Sequence, residues 1–234
     1  MARHRVNTTK YEIIRTATEL FLERGYSTTT PKMICDALDI STGNLTYYFP
    51  TKEHLLAELV DMLCKYQWKL MEEEAKDGYS SVMALCLELL TIASACEQDQ
   101  VAKDFFLSTY RSDLCMELIR RNDRERAKKV FQKYCPDWTE EFFSEAEALV
   151  SGIEYATLLT TANSAPLEIR VAGALGTILS LYNVPKEIRD KNIKKVLAMN
   201  YRALGLQTLK NFREFVKQTN EQTVEALLSG AEHK

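Results

Sequence analysis

Glycine and proline are scarce in this chain, with 8 and 5 copies among 234 residues. Both residues mark turns, so their scarcity argues against a fold of many short strands. Alternation of apolar and polar residues is also hard to find. Apolar residues recur instead at every third or fourth position, which is the period of an α-helix. The sequence therefore predicts an all-α protein.

Side chains that bind metals or perform catalysis are also few. There are three histidines, and the six cysteines stand far apart without a C-x-x-C pair. We find no nucleophile elbow, phosphate-binding loop or histidine-centred triad. We therefore expect no metal, no cofactor and no enzymatic activity, with an enzyme kept as a second class of function. The cysteines are interpreted as small core side chains, with a redox-sensing cysteine as the alternative.

The chain also lacks a long apolar run and an excess of positive charge. No eighteen consecutive residues are apolar, and the polar N-terminus is unlike a secretory signal. We therefore expect a cytoplasmic protein without a membrane partner. The net charge of −3 argues against general coating of nucleic acid. Any contact with DNA has to come from a local patch.

Three short helices are predicted at the N-terminus, in a domain spanning residues 1–50. Thr9 and Glu12 have the spacing of a capping box for the first helix, and Gly25 suits its end. Thr30 precedes Pro31 at the start of the second helix, which should bury Ile34, Ala37 and Leu38. Ser41 can cap a third helix that ends near Tyr48, before Pro50. The second and third helices, joined by a tight turn, form a helix-turn-helix.

The remaining chain, residues 51–234, is predicted to form a larger helical domain. Its first helix should run from about Lys52 to Lys76 and end at Asp77–Gly78, a length of roughly 37 Å. This helix crosses the domain boundary, so no flexible linker separates the two parts. Further helices are predicted over residues 80–97, 99–121, 124–134, 139–163, 166–183, 186–206 and 208–229.

The third helix carries the predicted DNA-binding surface. Leu45 and Phe49 should face inward, which leaves the polar and aromatic side chains outward, where such a helix enters the major groove. Asn44 can bridge the N6 and N7 atoms of adenine, and the tyrosines can bond phosphate oxygens. Charge and hydroxyl groups from neighbouring helices can contact the DNA backbone. The predicted DNA-binding residues are Thr30, Lys32, Ser41, Thr42, Gly43, Asn44, Thr46, Tyr47, Tyr48 and Lys52.

Two other interpretations of the N-terminal region stay open. Residues 41–55 can belong to an ordinary helical hairpin whose tyrosines pack on the rest of the protein. Adjacent tyrosines point about 100° apart on a helix, which makes shared burial difficult. The basic arm of Arg3, Arg5 and Lys10 can reach a minor groove or the DNA backbone. A disordered terminus is the alternative.

One set of residues over the first 60 positions forms a recognisable pattern: Ala17, Leu20, Phe21, Gly25, Tyr26, Ile34, Ser41, Gly43, Leu45, Tyr47, Phe49, Lys52 and Leu55. With this pattern, the region resembles the DNA-binding domain of the TetR family of bacterial transcriptional repressors. The resemblance implies a dimeric repressor that binds a double-stranded operator and responds to an unidentified small-molecule effector. Asp39, Thr46 and Tyr48 depart from the residues usual in the family (glycine, tyrosine and histidine). These departures leave the fold intact but bear on which operator is read.

By the same resemblance, the larger domain should bind the effector and form the dimer. The stretch over residues 171–182 has small residues that allow close approach of helices. With residues 186–206 it is the predicted interface, and an internal core helix is the alternative. The predicted effector-pocket residues are Met83, Cys86, Phe105, Phe106, Tyr110, Trp138, Phe142 and Tyr155, any of which can instead be plain core.

The basic segment over residues 120–133 is interpreted as a solvated helix face, with an anionic effector as the alternative. We expect an effector to shift the helix that starts near Thr51 and so change the separation of the two DNA-reading helices. An activator, a co-repressor-dependent regulator and a helical protein-binding adaptor remain alternative functions.

Overall fold

The computed structural model describes residues 2–76 and 80–232, and side chains over residues 9–70, 73 and 80–226. Within these residues the chain is helical and has no strand, which confirms the all-α prediction. The helices are α1 (Ala2–Arg24), α2 (Pro31–Leu38), α3 (Thr42–Tyr48), α4 (Lys52–Lys76), α5 (Ser81–Gln98), α6 (Gln100–Arg111), α7 (Asp113–Phe131), α8 (Glu140–Leu158), α9 (Leu167–Leu181), α10 (Lys186–Leu197) and α11 (Tyr201–Glu232).

Local signals fix the turns between the first three helices. Gly25 follows α1 with a φ of +97°, a conformation that favours glycine. The Thr30 hydroxyl accepts a hydrogen bond from the Met33 amide at 3.2 Å and caps α2. Asp39 takes a left-handed conformation (φ 51°) at the turn, and Ser41 accepts from the Asn44 amide at 3.1 Å. The predicted helix-turn-helix is therefore present.

Two details of this domain differ from the prediction. Helix α1 begins at Ala2, so Thr9 lies inside the helix and the capping box is wrong. No glycine or proline stands between Ala2 and Thr9 to stop the helix there. On α2, Ala37 is exposed and Cys35 is buried beside Ile34. The buried side of this short helix is thus set by the packing of α1 and α3 around it.

Helix α4 begins and ends at the predicted residues, Lys52 and Lys76. Its first turns bury Leu55, Leu56 and Leu59. These contacts attach the helix to the N-terminal domain, while its later turns pack against α7 in the larger domain. The predicted stop at Asp77–Gly78 lies outside the described residues.

Around α7, the helix boundaries differ from the prediction at two places. A break at Ser112 divides the predicted helix over residues 99–121, because the Ser112 hydroxyl caps α7 by accepting from the Cys115 amide at 3.4 Å. The predicted break near residue 123 is absent. There Arg126 is buried and ion-paired, so the packing of α7 favours a continuous helix.

The C-terminal helix is longer than predicted. A short break over residues 198–200 separates α10 from α11, which then continues through the predicted boundary near residue 207. The Asn200 side chain accepts a hydrogen bond from the Ala203 amide at 3.4 Å and helps to start α11. The sequence has no glycine or proline at 198–200, so the break had no strong local signal.

Helices α5 and α11 form the centre of the packing. At Gly205 a Cβ atom would lie 2.7 Å from the Thr91 carbonyl oxygen, so only glycine permits this approach. Helix α11 also packs along α1, where Asn220 donates a buried hydrogen bond to the Thr18 hydroxyl at 2.9 Å. By length and composition α5 alone among the described helices could cross a membrane, but 61% of it is buried inside the protein. It is interpreted as a core helix.

Candidate nucleic-acid interface and effector cavity

Helix α3 is held by its apolar side and presents its polar side to solvent. Leu45 and Phe49 are buried in the core cluster that also contains Ile34. Opposite them lie the exposed residues Thr42, Gly43, Asn44, Thr46 and Tyr47. The structure therefore brings the predicted α3 residues together on one surface, which we call the α3 surface.

Several hydroxyl groups at this surface also have structural roles. The Ser41 oxygen accepts the Asn44 amide, which leaves its own O–H free to donate. The Thr46 hydroxyl donates to the Thr42 carbonyl oxygen at 3.0 Å. Thr30 caps α2 as described above. Each group can still contact a phosphate oxygen or a base, but only in the orientation that its local hydrogen bond allows.

The two adjacent tyrosines differ in environment. The Tyr47 side chain is 77% exposed, while Tyr48 is half-buried and packs against the core. Their rings meet edge to face with centroids 5.0 Å apart. Tyr48 thus orients Tyr47, and Tyr47 projects furthest into solvent.

Both predicted lysines have partners within the protein. Lys32 pairs with Asp36 at 2.6 Å on the exposed side of α2. Exposed pairs of this kind contribute little free energy, so Lys32 can exchange its partner for a phosphate. Lys52 is held more firmly, since its ammonium donates to the carbonyl oxygens of Tyr26 at 2.9 Å and Thr29 at 3.0 Å. It also lies 4.1 Å from the centre of the Tyr26 ring.

Lys52 therefore anchors the loop between α1 and α2, a role that the sequence analysis missed. Burial lowers the pKa of its ammonium group. Two of its three N–H donors are used inside the protein, which leaves one for DNA. The side chains of the basic arm, Arg3 to Arg5, lie outside the described residues.

A carboxylate from α6 holds the same loop. Asp104 accepts hydrogen bonds from the Ser27 amide at 2.8 Å and from the Ser27 hydroxyl. Gly25 lies against this carboxylate, because a Cβ atom there would be 2.9 Å from it. The loop over residues 25–29, which precedes α2, is thus bound both to the start of α4 and to α6. We call it the junction loop.

A buried cavity lies in the larger domain, and α4 and α6 both contribute to its wall. Its volume is about 90 Å³, and a second cavity of about 160 Å³ shares part of its lining, including Phe106 and Arg126. Three of the predicted pocket residues, Cys86, Phe106 and Tyr110, line the first cavity.

The other five predicted pocket residues lie elsewhere. Met83 and Phe105 belong to the core, with Phe105 stacked on Phe212. Trp138 packs edge to face on Phe143, and Tyr155 accepts a hydrogen bond from Arg111 at 3.2 Å. Phe142 is 60% exposed on the outer side of α8. Helical spacing places such residues on a helix but does not tell which neighbour they will face.

The charged residues that line the cavity were not predicted from the sequence. Arg126 pairs with Glu88 and with Asp123, the latter at 3.3 Å, and is only 4% exposed. It lies within the segment interpreted as a solvated helix face, so that interpretation is wrong at this residue. Glu147 and Glu154 also line the cavity. A single acid or arginine on a helix carries no sequence signal for burial, because burial depends on the helices packed around it.

Burial changes the ionisation of these acids. It raises the pKa of Glu147 to about 8 and that of Asp123 to about 6. It raises the pKa of Glu154 well above its usual range. The carboxyl groups receive hydrogen bonds from tyrosines: Tyr182 donates to Glu147, and Tyr110 donates to Glu154 at 2.9 Å. The cavity thus combines apolar walls with two glutamic acids, Glu147 and Glu154, whose raised pKa values favour the protonated form at neutral pH.

Comparison with known proteins agrees with the N-terminal architecture. Residues 13–59 match the family described as "Bacterial regulatory proteins, tetR family". A 68-residue stretch is 38% identical to the HTH-type transcriptional regulator QacR of Staphylococcus aureus (strain Mu50 / ATCC 700699). This match covers 29% of this chain and 36% of the relative, so it spans about a third of that protein.

Solved structures also resemble the chain over most of its length. A gamma-butyrolactone receptor (ArpA-like protein) has a TM-score of 0.46 at 19% identity, covering 82% of this chain and 96% of its own. The regulator TylP of Streptomyces fradiae has a TM-score of 0.46 at 15% identity, covering 84% and 93% of the two chains.

Proposed function

Since its N-terminal helix-turn-helix domain belongs to the TetR family of bacterial regulatory proteins, we propose that this chain is a cytoplasmic, dimeric transcriptional repressor. Its helix-turn-helix domain, residues 1–50, binds a double-stranded DNA operator. Its larger domain, residues 51–234, binds a small-molecule effector that releases the operator. The α3 surface carries this proposal.

The α3 surface suits the major groove because it is both rigid and polar. Buried Leu45 and Phe49 fix the helix, and its N-terminus is capped by Ser41. Gly43 has no side chain to keep the helix away from DNA, and Asn44 stands exposed beside it. Asn44 can then bond adenine, and Tyr47 can bond a phosphate oxygen.

A face on α8 and α9 supports dimerisation. Helix α8 exposes Phe142 and Leu149, Leu159 is exposed directly after its last residue, and α9 exposes Ile169 at 64%. The intervening glycines have open space around them, since an added Cβ at Gly152, Gly173 or Gly176 would meet nothing within 4 Å. Apolar groups beside small residues permit close packing of four helices about a two-fold axis.

This proposed interface differs from the one that the sequence favoured. The stretch over residues 171–182 is retained within α9, but α8 replaces the segment over residues 186–206. Helix α10 exposes Lys191, Lys194 and Lys195. An outer surface with that many lysines is unfavourable for an interface between identical chains, because like charges would be brought together.

The junction loop gives the effector a route to the DNA-binding helices. Helix α4 lines the cavity through Leu63 and Cys64, and its Lys52 bonds the loop. Helix α6 lines the cavity through Phe106 and Tyr110, and its Asp104 bonds the same loop. An effector that moves either helix would therefore move the loop and change the separation of the two α3 surfaces.

Selection of duplexes from a random pool tests DNA recognition. Purified protein should enrich a palindromic sequence whose half-sites are about 34–36 Å apart, one turn of DNA. Asn44→Ala should relax one base position in each half-site, at a cost of about 1–3 kcal/mol. Absence of enrichment with the wild-type protein, at low salt, would oppose the proposed repressor. It would favour either a co-repressor-dependent regulator or an adaptor that binds another protein.

A further inference from the structure

The cavity has more carboxylic acids than cationic groups among its described lining residues. Four carboxylic acids line it, and Arg126 supplies the cavity's one guanidinium group among the described lining residues. Arg126 is already paired with Glu88 and Asp123. The described residues provide no cationic partner within 4 Å for the other two acids, Glu147 and Glu154.

Glu147 and Glu154 accept hydrogen bonds from tyrosine hydroxyls instead. A buried carboxylate without a cation is strongly disfavoured, and such a group normally keeps its proton. Burial raises the pKa of both groups accordingly, to about 8 for Glu147. A cation bound beside these groups would therefore displace a proton from one of them.

The walls around these acids are apolar and aromatic. Phe106, Phe131, Tyr110 and Tyr182 line the cavity together with leucine and isoleucine side chains. Aromatic faces attract organic cations, and the attraction grows when the cation is desolvated. The second cavity, about 160 Å³, has the volume needed for one aromatic ring, since a cavity of about 150 Å³ can hold benzene. It shares Phe106 and Arg126 with the first cavity, which is about 90 Å³.

Arg126 gives a second, independent indication of a ligand. It lines both cavities, it is 4% exposed, and its Nε atom is buried without a hydrogen-bond partner. Buried donors without a partner are rare in folded proteins, so this one indicates that a ligand supplies the acceptor. A ligand that carries an acceptor oxygen near Arg126 and a positive charge near Glu147 would satisfy both ends of the site.

We propose that the cavity binds a small, apolar organic cation, with an aromatic ring, whose positive charge lies against Glu147 and Glu154. This proposal rests on the proposed function, because it names the effector class for the same cavity. On binding, the cation replaces a carboxyl proton, which leaves for solvent, so that the net charge inside the cavity is conserved. Uptake is therefore coupled to proton release.

The groups that face Glu147 define the expected pH dependence. Helix α7 contributes Asp123 and Arg126, the end of α9 contributes Tyr182, α8 itself contributes Glu154, α5 contributes Glu88 and α6 contributes Tyr110. Because the acids outnumber Arg126, their combined field favours a cation. Affinity should rise as pH increases towards 8, since fewer protons then compete for the site.

Calorimetric titration of the full chain, without DNA, tests the ligand class. Phenyltrimethylammonium is the probe, because its charge is permanent. Tert-butylbenzene has the same shape without charge, and benzenesulfonate is the corresponding anion. We expect the cation to bind at least tenfold more tightly than either, with release of protons that appears as a dependence of the binding heat on the buffer. Equal binding of all three compounds, or preference for the anion, would overturn the proposal.

Variants locate the charge within the cavity. Glu147→Gln and Glu154→Gln should each weaken binding of the cation at least tenfold and reduce proton release. Glu225→Gln, at an exposed position on α11, is the control and should leave both unchanged. Circular dichroism establishes that each variant is folded. Unaltered cation affinity in both folded cavity variants would overturn the assignment.

Operator binding separates this proposal from the proposed function. If the cation binds but leaves the DNA affinity unchanged, the ligand class stands and release by the effector fails. If an operator is found and the cation does not bind at pH 8, the ligand class fails and operator recognition stands.

Discussion

Adjacent residues of the same type can have different structural roles, as Tyr47 and Tyr48 illustrate. Tyr48 packs on the core and Tyr47 extends into solvent, although both lie in the same turn of α3. The difference follows from the 100° between successive residues on a helix. Substitutions at the two positions should therefore have opposite consequences for stability and for DNA binding.

We expect Tyr47→Phe to weaken operator binding about tenfold, because a hydrogen bond to a charged phosphate is lost. Its stability should change by less than about 0.5 kcal/mol, as is usual for exposed positions. Fluorescence anisotropy with labelled operator and urea unfolding measure the two effects. Tyr48→Ala is the comparison, and it should lose about 1–2 kcal/mol of stability through lost packing. A large loss of stability in Tyr47→Phe would show that its hydroxyl is structural.

Glu147 makes the stability of the protein depend on pH. Its pKa is raised from 4.5 in the ordinary state to about 8 in the folded protein, chiefly by burial. Between these values the folded protein holds a proton that the unfolded chain releases. The contribution of Glu147 to the free energy of unfolding is therefore greatest below about pH 4.5. It is lost as pH rises towards 8, with a slope approaching about 1.4 kcal/mol per pH unit.

Glu147→Gln should remove this dependence and stabilise the protein at pH 7, by on the order of 2 kcal/mol. Glutamine keeps an oxygen that can accept the Tyr182 hydroxyl. Urea unfolding at several pH values between 5 and 8 gives the difference between variant and wild type, which should widen as pH rises. The exposed control Glu225→Gln on α11 should run parallel to wild type. A constant difference for Glu147→Gln would mean that Glu147 is ionised in the folded protein.

Among the helices, α6 has the most direct connection between cavity and DNA-binding domain. It contributes Phe106 and Tyr110 to the cavity and Asp104 to the junction loop. Only one residue, Phe105, lies between Asp104 and Phe106, so a shift of this helix at the cavity reaches the loop without an intermediate element. Helix α4 reaches the same loop over a longer distance, through Lys52 at its start.

Loss of the Asp104 carboxylate should release the junction loop. In Asp104→Ala the Ser27 amide loses its acceptor, and its hydrogen exchange should accelerate about tenfold, equivalent to about 1.4 kcal/mol. Lys103→Ala is the matched control, because Lys103 on the same helix contacts Thr160 and not the loop. Amide exchange followed by NMR reports on both variants. Unchanged protection of Ser27 in Asp104→Ala would mean that this hydrogen bond does not hold the loop.

For the whole molecule, the exposed face of α8 and α9 decides how two copies can meet. Phe142, Leu149, Leu159 and Ile169 lie on it with no covering element from the described chain. Leu149→Glu should convert the proposed dimer to a monomer, raising the dimer dissociation constant at least 100-fold, because a charge would be buried without a partner. Sedimentation velocity measures this change. Operator affinity should fall with it, since each copy reads one half-site.

Lys191→Glu on α10 distinguishes the two candidate interfaces. Lys191 is exposed and lies in the segment that the sequence favoured for dimerisation. The variant should remain a dimer if α8 and α9 form the contact. Dissociation of Lys191→Glu, with Leu149→Glu still dimeric, would restore the interface over residues 171–206.

The sequence by itself determined the helical class, the helix-turn-helix and the limits of α4. Those features depend on local chemistry: the caps Thr30 and Ser41, the left-handed conformations at Gly25 and Asp39, and the 3.6-residue period of apolar side chains. Such signals act between residues a few positions apart, so they can be recognised in the sequence alone.

Only the tertiary structure decided which side chains face the cavity and which hold the junction loop. Arg126 and Glu147 are ordinary charged residues on helical sequences, and they are buried because α5, α6, α7, α8 and α9 enclose them. Lys52 bonds a loop more than twenty residues earlier, and Asp104 reaches Ser27 from 77 residues away. Contacts between segments so distant in the chain produce no periodic pattern in the sequence, since they depend on how whole helices pack.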